Sequence, residues 1–543
     1  MIKSADLSPS ALVGLLRELK IPTWVLVAAC GTASVAAIYA YLLDLNRRRR
    51  EHFKDTPQPD NEHPLLAGLP VTRRVFGSST NQSQGIQELS DKLGPTWGVR
   101  MPLFLPGFSK QEFILFTSDP AIISEVQAKK DIFHSRPKVG FHSIIPQGLL
   151  ALRADKGQWQ THRRLIAPLF SDKFLAAYGP TLYEKSALLH DSLLQHFNDK
   201  VKTKAFDVQE CLNLVTLDII TSIGFGLEKA DSVRALLPPD SPQALKPNEL
   251  RSALGFKRAS DVLLDEVMKR VAEPSVARFW PPRYIRYLSA YAMATKRVYE
   301  VYRHKGDSVS SDASGRGSKD FNMLIALKNA QEGGQHMTMK EVKDEIITLM
   351  IAGHETTGLT TSWALYELAA NPDVQDKVYK EVKDVDLKSL SLTEVKDKLP
   401  YTYMTFQEAL RLHPTVNIFP REASEDVVLG GKYRLPAGSR ILINQQALAW
   451  NTELWGPDAK KFKPERMQRP DLADLDNYFP FGFGQRTCIG KRLAYVEGVF
   501  LLAHMLQDFH LAVPSEFAPR YEVRVTLRSA DGTTLLLTPR AHD

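Results

Sequence analysis

Hydrophobic and polar positions divide this chain into unlike stretches. Ile21 to Leu45 is almost wholly apolar, with Trp24, Tyr39 and Tyr41 near its ends. A helix of that length spans about 30 Å of hydrocarbon. Arg47-Arg48-Arg49-Arg50 follows at once, and the positive-inside rule puts that flank in the cytoplasm. The run is long, starts late and stops at a basic cluster rather than at a small-residue cleavage site. It therefore predicts an uncleaved transmembrane signal anchor over 21–45, behind a short tail at 1–20. Asp55 to Pro70 carries Pro57, Pro59, Pro64 and Pro70, and with the basic cluster reads as a stiff linker over 46–70. One large folded domain is expected over 71–543.

Within that domain Trp97–Phe104 and Glu112–Ser118 are short apolar or alternating runs split by Pro106-Gly107, which predicts a hairpin. Asp119-Pro120 opens a helix. Between His134 and Gly157 the pattern breaks into glycines, prolines and scattered hydrophobics, a long loop of the kind that often carries function. Helical periodicity then dominates to about residue 300. His304 to Asp320 is rich in Ser, Gly and Asp and reads as a surface loop. Thr338-x-x-Glu341 has the form of a capping box, and the helix it starts is unusually long, stopping at Asn371-Pro372. Near the end, Tyr521–Arg528 and Thr533–Thr538 flank Ser529-Ala530-Asp531-Gly532, which predicts a closing hairpin. The fold class is mainly α with small β-sheets.

Composition changes this picture little. Hydrophobic residues make up 43% of 543 residues and charged residues 24%, an ordinary globular balance. The net charge is +7, but seven basic and three acidic residues lie in 1–50, leaving only +3 for the remainder. The basic balance therefore gives no argument for nucleic-acid binding. Cys30, Cys211 and Cys488 are far apart, so they form no disulfide framework and suit a reducing compartment.

The chemistry gathers around Cys488. It sits in Phe479-Pro480-Phe481-Gly482-Phe483-Gly484-Gln485-Arg486-Thr487-Cys488-Ile489-Gly490. Glycines let backbone N–H groups come close to the sulfur, and a thiolate so held is a ligand for a soft or redox-active metal. No second cysteine or histidine is nearby in sequence, which disfavours a four-ligand zinc site; one axial thiolate on haem iron fits better. A structural cysteine in a Gly-rich turn is the bland alternative for any lone cysteine. Five matched positions, Phe481-x-x-Gly484-x-Arg486-x-Cys488-x-Gly490, reverse it, because this stretch resembles the haem-binding loop of the cytochrome P450 monooxygenases.

Three more motifs match in the family's order. Trp159-x-x-x-Arg163 shares a helix face and resembles the pair that holds a haem propionate; alone it would be a surface cation–π contact. Ala352-Gly353-His354-Glu355-Thr356-Thr357 is poor helix material in the middle of a long helix. Small residues there permit close approach of a ligand, and a threonine hydroxyl can replace a helix hydrogen bond and open a groove. It resembles the oxygen-binding segment, with Thr356 as its alcohol and Glu355 as the acid of its proton relay; His354 has no catalytic role on that match. Glu408-x-x-Arg411 resembles the family's acid–base pair, which Arg466 of Pro464-Glu465-Arg466 completes as a buried brace for the haem loop. Arg421, by its spacing from Arg411, resembles another propionate ligand. Asn417, Ile418 and Phe419 would then line the substrate pocket.

The resemblance covers 71–543 and implies a cytochrome P450 fold of a membrane-anchored, microsomal and fungal-like type. It implies haem b on the Cys488 thiolate, with Arg486, Arg163 and Arg421 offsetting propionate charge and Phe481 packed beside the sulfur. The activity implied is insertion of one oxygen atom of O2 into a C–H bond of a lipophilic substrate. No flavin or nicotinamide signature is fused to the chain, so NADPH would deliver electrons through a separate NADPH–cytochrome P450 reductase, docking near Lys491 and Arg492. The anchor places the protein in the endoplasmic reticulum membrane as a single-pass protein with a cytoplasmic domain. A terpenoid, steroid-like or polyketide intermediate of secondary metabolism is the expected substrate, with fatty-acid or alkane hydroxylation as the alternative. A haem-thiolate isomerase or dehydratase has no use for the Glu355-Thr356 pair, and a non-catalytic haem sensor has none for a substrate-sized groove.

Overall fold

The computed structural model describes residues 53–59, 82–100, 113–133, 140–154, 157–198, 200–225, 232–272, 281–306, 331–332, 335–469 and 478–540, with a few isolated positions besides. The apolar run 21–45 lies outside the described residues apart from Ala40 and Asp44. Among the described residues no helix is long and apolar enough to cross a membrane. The turn at Pro106-Gly107 and the Ser/Gly stretch from Asp307 to Asp320 also lie outside them.

Helix α1 (Gln82–Leu93) leads into β1 (Thr96–Arg100) and β2 (Phe113–Thr117), which pair antiparallel as their alternating patterns predict. Part of the presumed linker belongs to this unit. Phe53 is buried and stacks on Phe113 with ring centroids 4.1 Å apart, and Gln58 Oε1 accepts from Arg100 Nε at 2.9 Å. Asp119 caps α2 (Pro120–Ala128) by accepting from the Ala121 N–H at 2.9 Å, with proline at its first turn as the motif requires.

Helices α3 (Gln158–Ile166), α4 (Asp172–Leu194), α5 (Val208–Phe225), α6 (Pro247–Ala272) and α7 (Pro281–Gly306) fill the region of helical periodicity, with β3 (Lys204–Asp207) before α5. A small pair, β4 (Gln331–Glu332) and β5 (Gln335–His336), precedes the central helix α8 (Met339–Ala370). Its capping box is complete: Glu341 N–H donates to Thr338 Oγ1 at 3.3 Å and Thr338 N–H donates to Glu341 Oε2 at 2.7 Å. At 32 residues α8 is about 48 Å long, and nearly every side chain from Val342 to Leu365 is buried. Such a helix has no amphipathic stripe to read, since neighbours surround it.

Pro372 starts α9 (Pro372–Val382), and α10 (Pro400–Leu412) follows. Strands β6 (Ile418–Glu422), β7 (Val427–Leu429), β8 (Tyr433–Leu435) and β9 (Arg440–Asn444) come next, and the first sheet has the order β1-β2-β9-β6. Only the β2–β9 contact is parallel. Helix α11 (Lys491–Asp508) begins three residues past Cys488 and ends in β10 (Phe509–Ala512).

The closing hairpin forms differently from the sequence expectation. β11 (Tyr521–Val523) turns at 524–526 and pairs with β12 (Leu527–Ser529), so the first run folds back on itself. β13 (Thr534–Pro539) joins another sheet, between β10 and β3. Asp531-Gly532 serves the β3 end instead: Thr533 N–H donates to Asp207 Oδ1 at 2.9 Å, and a Cβ on Gly532 would lie 2.3 Å from Asp207 Oδ2. Tertiary pairing outweighs the local turn signal there.

Candidate active site

Three glycines shape the cysteine loop. Gly482 and Gly484 have φ of 74° and 64°, left-handed values that other residues adopt only with strain. A Cβ on Gly482 would meet Phe419 Cζ at 2.4 Å, and one on Gly490 would sit 4.0 Å from Cys488 Sγ. Cys488 N–H donates to the Phe481 carbonyl at 2.9 Å, closing the loop beneath the sulfur. The Phe481 ring packs on Tyr495 of α11, centroids 4.9 Å apart. Cys488 itself is exposed, two residues from a buried Arg486.

Cationic side chains converge on this loop from two directions. Trp159, buried on α3, carries the Arg486 guanidinium 4.1 Å from its ring centroid and that of Arg163 at 5.5 Å. Burial lowers the Arg163 pKa, and the charge of Cys488 opposes that shift, so the two groups lie within electrostatic reach. Arg486 also donates to the carbonyl of Leu152 at 2.6 Å, holding the 140–154 loop. From the other side Arg421 donates to the Phe483 carbonyl at 3.4 Å and lies 4.1 Å from the Phe419 ring centroid.

Behind the loop, Arg411 grips Glu408 with two bonds, Nε to Oε2 at 2.7 Å and Nη2 to Oε1 at 2.8 Å. Arg466 Nε reaches Glu408 Oε1 at 3.4 Å and its Nη1 donates to the Trp455 carbonyl at 2.7 Å. All three residues are buried. The pair and its third member are therefore a closed structural network, with little contact with solvent.

On α8 the burial is interrupted between Val342 and Leu365 at three positions only, Ala352, Gly353 and Thr356, which are partly exposed along one face. Thr356 Oγ1 donates to the Ala352 carbonyl at 2.7 Å. Gly353 has a packing use besides the ligand approach expected of it. A Cβ there would lie 2.9 Å from Ile220 Cγ1, so its smallness lets α5 pack against α8. Glu355 is buried and turned toward the β11–β12 hairpin, where Arg528 lies 3.9 Å away; burial raises its pKa and Arg528 opposes the rise. His354 donates from Nδ1 to the Met350 carbonyl, 2.8 Å away, and is buried in the core.

Two bridges join α8 to the cysteine loop on either side of that exposed face. Before it, Asp344 Oδ2 accepts from the Gln147 N–H at 3.0 Å, and the same loop reaches Arg486 through Leu152. After it, Thr360 Oγ1 and Thr415 Oγ1 are 2.7 Å apart, and the strand that follows reaches Phe483 through Arg421. Along α8 the exposed face at 352–356 thus falls between two connections to the Cys488 loop. The three residues expected to line a pocket make different contacts. The Phe419 ring lies against Gly482 and Phe483, Ile418 packs on the Trp97 cluster, and Asn417 is buried with its carbonyl accepting from Gln445 N–H at 2.8 Å. Strand alternation sends Ile418 and Phe419 to opposite faces.

Sequence reasoning missed His162. It is buried on α3, with Nδ1 2.7 Å from Glu345 Oε1 and Nε2 3.5 Å from Glu341 Oε1. A lone histidine beside Trp159 and two acids four apart on α8 were the available signals, and nothing in either stretch said that they meet.

A haem fits these residues. The donor set is one thiol, with no second thiol or imidazole grouped with it among the described residues. Arg163, Arg421 and Arg486 suit the two carboxylates of a porphyrin. The comparisons point the same way. A family model described as Cytochrome P450 matches residues 57–531. Among similar proteins, cytochrome P450 3A41 of Mus musculus is 26% identical over 95% of this chain and 95% of its own length. Cytochrome P450 4F8 of Homo sapiens is 28% identical over 96% of this chain and 98% of its own. A bifunctional cytochrome P450/NADPH–P450 reductase of Fusarium oxysporum is 26% identical over 86% of this chain but 41% of its own length.

Proposed function

Because the chain belongs to the cytochrome P450 family, and is therefore a haem-thiolate monooxygenase, we propose that it oxidises C–H bonds of a lipophilic, polycyclic terpenoid, steroid-like or polyketide substrate. The observation that carries this reading is the partly exposed Ala352-Gly353-Thr356 face, which lies along α8 between two connections to the Cys488 loop. Apart from one hydroxyl it is apolar, so it rewards burial of hydrocarbon and excludes charge.

Bound haem supplies oxygen activation, and a thiolate ligand favours cleavage of the O–O bond. Cys488 is the ligand in this reading. Its loop N–H groups and Phe481 tune the basicity of the sulfur. Arg163, Arg421 and Arg486 would hold the propionates, with Trp159 fixing the guanidiniums of Arg163 and Arg486 and Phe419 with Phe483 that of Arg421. Thr356 gives its hydroxyl proton to the Ala352 carbonyl, and that helix bond orients its oxygen as an acceptor for a proton donated from the site. Glu355, next to Thr356 in the chain and with its pKa raised by burial, is the acid of the relay in this reading. Electrons come from NADPH through a separate reductase, a step that one relative carries fused to its own chain. Lys491 is exposed next to the loop, while the head group of Arg492 is paired with Asp172; Lys491 is thus the better docking cation. The run at 21–45 anchors the protein in the endoplasmic reticulum membrane.

Optical titration of the ferric protein tests the substrate class. A saturable shift of the Soret band with polycyclic terpenoids or polyketides supports it. A shift with long-chain fatty acids alone replaces it with fatty-acid hydroxylation. Product formed without reductase or oxygen would point to an isomerase instead. Cys488→Ser should fold yet lose the long-wavelength Soret band that a thiolate gives the reduced carbon monoxide complex.

A further inference from the structure

At the end of α11 remote from Cys488, three side chains converge that the reaction does not use. His504 and Asp508 are four residues apart and share a face of α11, and His190 meets them from α4. Lys491 to His504 spans about 20 Å of helix, which separates this cluster from the cysteine loop. One ligand atom from each residue lies within 4.8 Å of the others. His190 Nε2 is 2.8 Å from Asp508 Oδ2, yet it is buried and makes no aligned hydrogen bond.

The outer partners are the decisive feature. His190 Nδ1 is 3.2 Å from Asp191 Oδ1, and His504 Nδ1 is 3.0 Å from Ser186 Oγ. Each imidazole is thus held at Nδ1, and His190 turns its Nε2 to Asp508. Metal-bound histidines are oriented in this way by a partner at the other ring nitrogen. Two imidazoles on one tetrahedral ion, with metal–nitrogen distances of about 2.0 Å, hold their ring centres about 5 Å apart. Here the centres are 5.3 Å apart and the ring planes 17° from parallel, so one ring turns when both meet a single ion. Asp508 is 17% exposed and His190 14%, which leaves an entry path and room for a water as fourth ligand.

We propose that His190, His504 and Asp508 form a binding site for a divalent transition-metal ion of zinc's class. Two imidazoles and one carboxylate are a ligand set suited to zinc. Bound there, the ion ties the last turn of α11 to α4.

Untagged holoprotein, stripped with chelator and dialysed against zinc, tests this with zinc and iron both measured by mass spectrometry. One zinc per haem iron is expected in the native sequence. His504→Gln and Asp508→Asn should bind roughly tenfold more weakly or worse, and Ser186→Ala, which keeps all three ligands, should weaken binding less. Zinc should raise the melting temperature of the native protein by about 2–4 °C and leave that of Asp508→Asn unchanged. The reduced carbon monoxide spectrum reports whether each variant is folded. No zinc on the native protein, as a plain His190–Asp508 ion pair predicts, overturns the proposal. Equal zinc on native protein and folded variants overturns it too.

Discussion

His162 Nδ1 stands 2.7 Å from Glu345 Oε1, which pins the helix bearing Trp159 and Arg163 to the central helix. Burial pulls the His162 pKa down, but the bonds and charges of Glu345 and Glu341 outweigh it and leave it above the ordinary 6.5. Burial raises Glu345 as well, with His162 opposing. Both groups therefore bind protons more tightly folded than unfolded, so stability falls as pH rises. The His162 contribution is complete below 6.5 and is lost as pH passes through its raised folded value. Thermal unfolding of native protein against His162→Gln/Glu345→Gln should show a gap of about 1–3 kcal/mol near pH 6 that narrows as the pH is raised above 6.5. A gap that widens with pH would show the pair to be uncharged when folded.

Glu408 and Arg411 are buried and bonded through two atoms each. Arg411→Lys keeps the charge but loses the planar fork. Glu408 then keeps a cation beside it but loses its two-point bond, at a cost of roughly 1–3 kcal/mol. The expected result is protein with little or no haem, measured as Soret absorbance per polypeptide. Full haem content would reduce the network to a bystander.

Gly353→Ala puts a methyl 2.9 Å from Ile220 Cγ1 and 3.0 Å from its Cδ1. Overpacking between α5 and α8 should cost about 1–3 kcal/mol. Adding Ile220→Ala should recover part of that loss, because the two changes meet at one contact. Denaturant unfolding of both variants decides it; if the second change only destabilises further, the glycine serves something other than helix packing.

Thr356→Ala removes a hydroxyl bonded to the Ala352 carbonyl. Its stability cost should stay within about 1 kcal/mol, since the bond is local to one helix. Oxygen consumption should persist while product per NADPH falls, because the proton path and not binding is damaged. Thr356→Ser should restore coupling. Undiminished coupling in Thr356→Ala would remove Thr356 from the proposed relay.

The residue patterns carried much of this fold because their causes are local. The capping box at Thr338, the stop at Asn371-Pro372 and the proline-led start at Pro120 each depend on neighbours within four residues, and all form as expected. The β1–β2 pairing follows from alternation in two nearby runs. The closing hairpin was misjudged because Asp531-Gly532 is a local turn signal, whereas the partners of Thr534–Pro539 lie at β3 and β10, far apart in sequence.

The cysteine loop and the Glu408–Arg411 pair are legible in the same way, since Cys488 and its glycines form one contiguous loop and the pair one helix turn. What the sequence by itself determined is therefore the chemistry on offer: one thiolate, its cations and a threonine on a long helix. Only tertiary structure decided which groups meet. It set Phe419 against Gly482, used Gly353 for Ile220, brought His162 to Glu345 and gathered His190 with His504 and Asp508. Each of those contacts joins segments separated in the chain, and burial, which fixes their energies, is a property of the packed molecule.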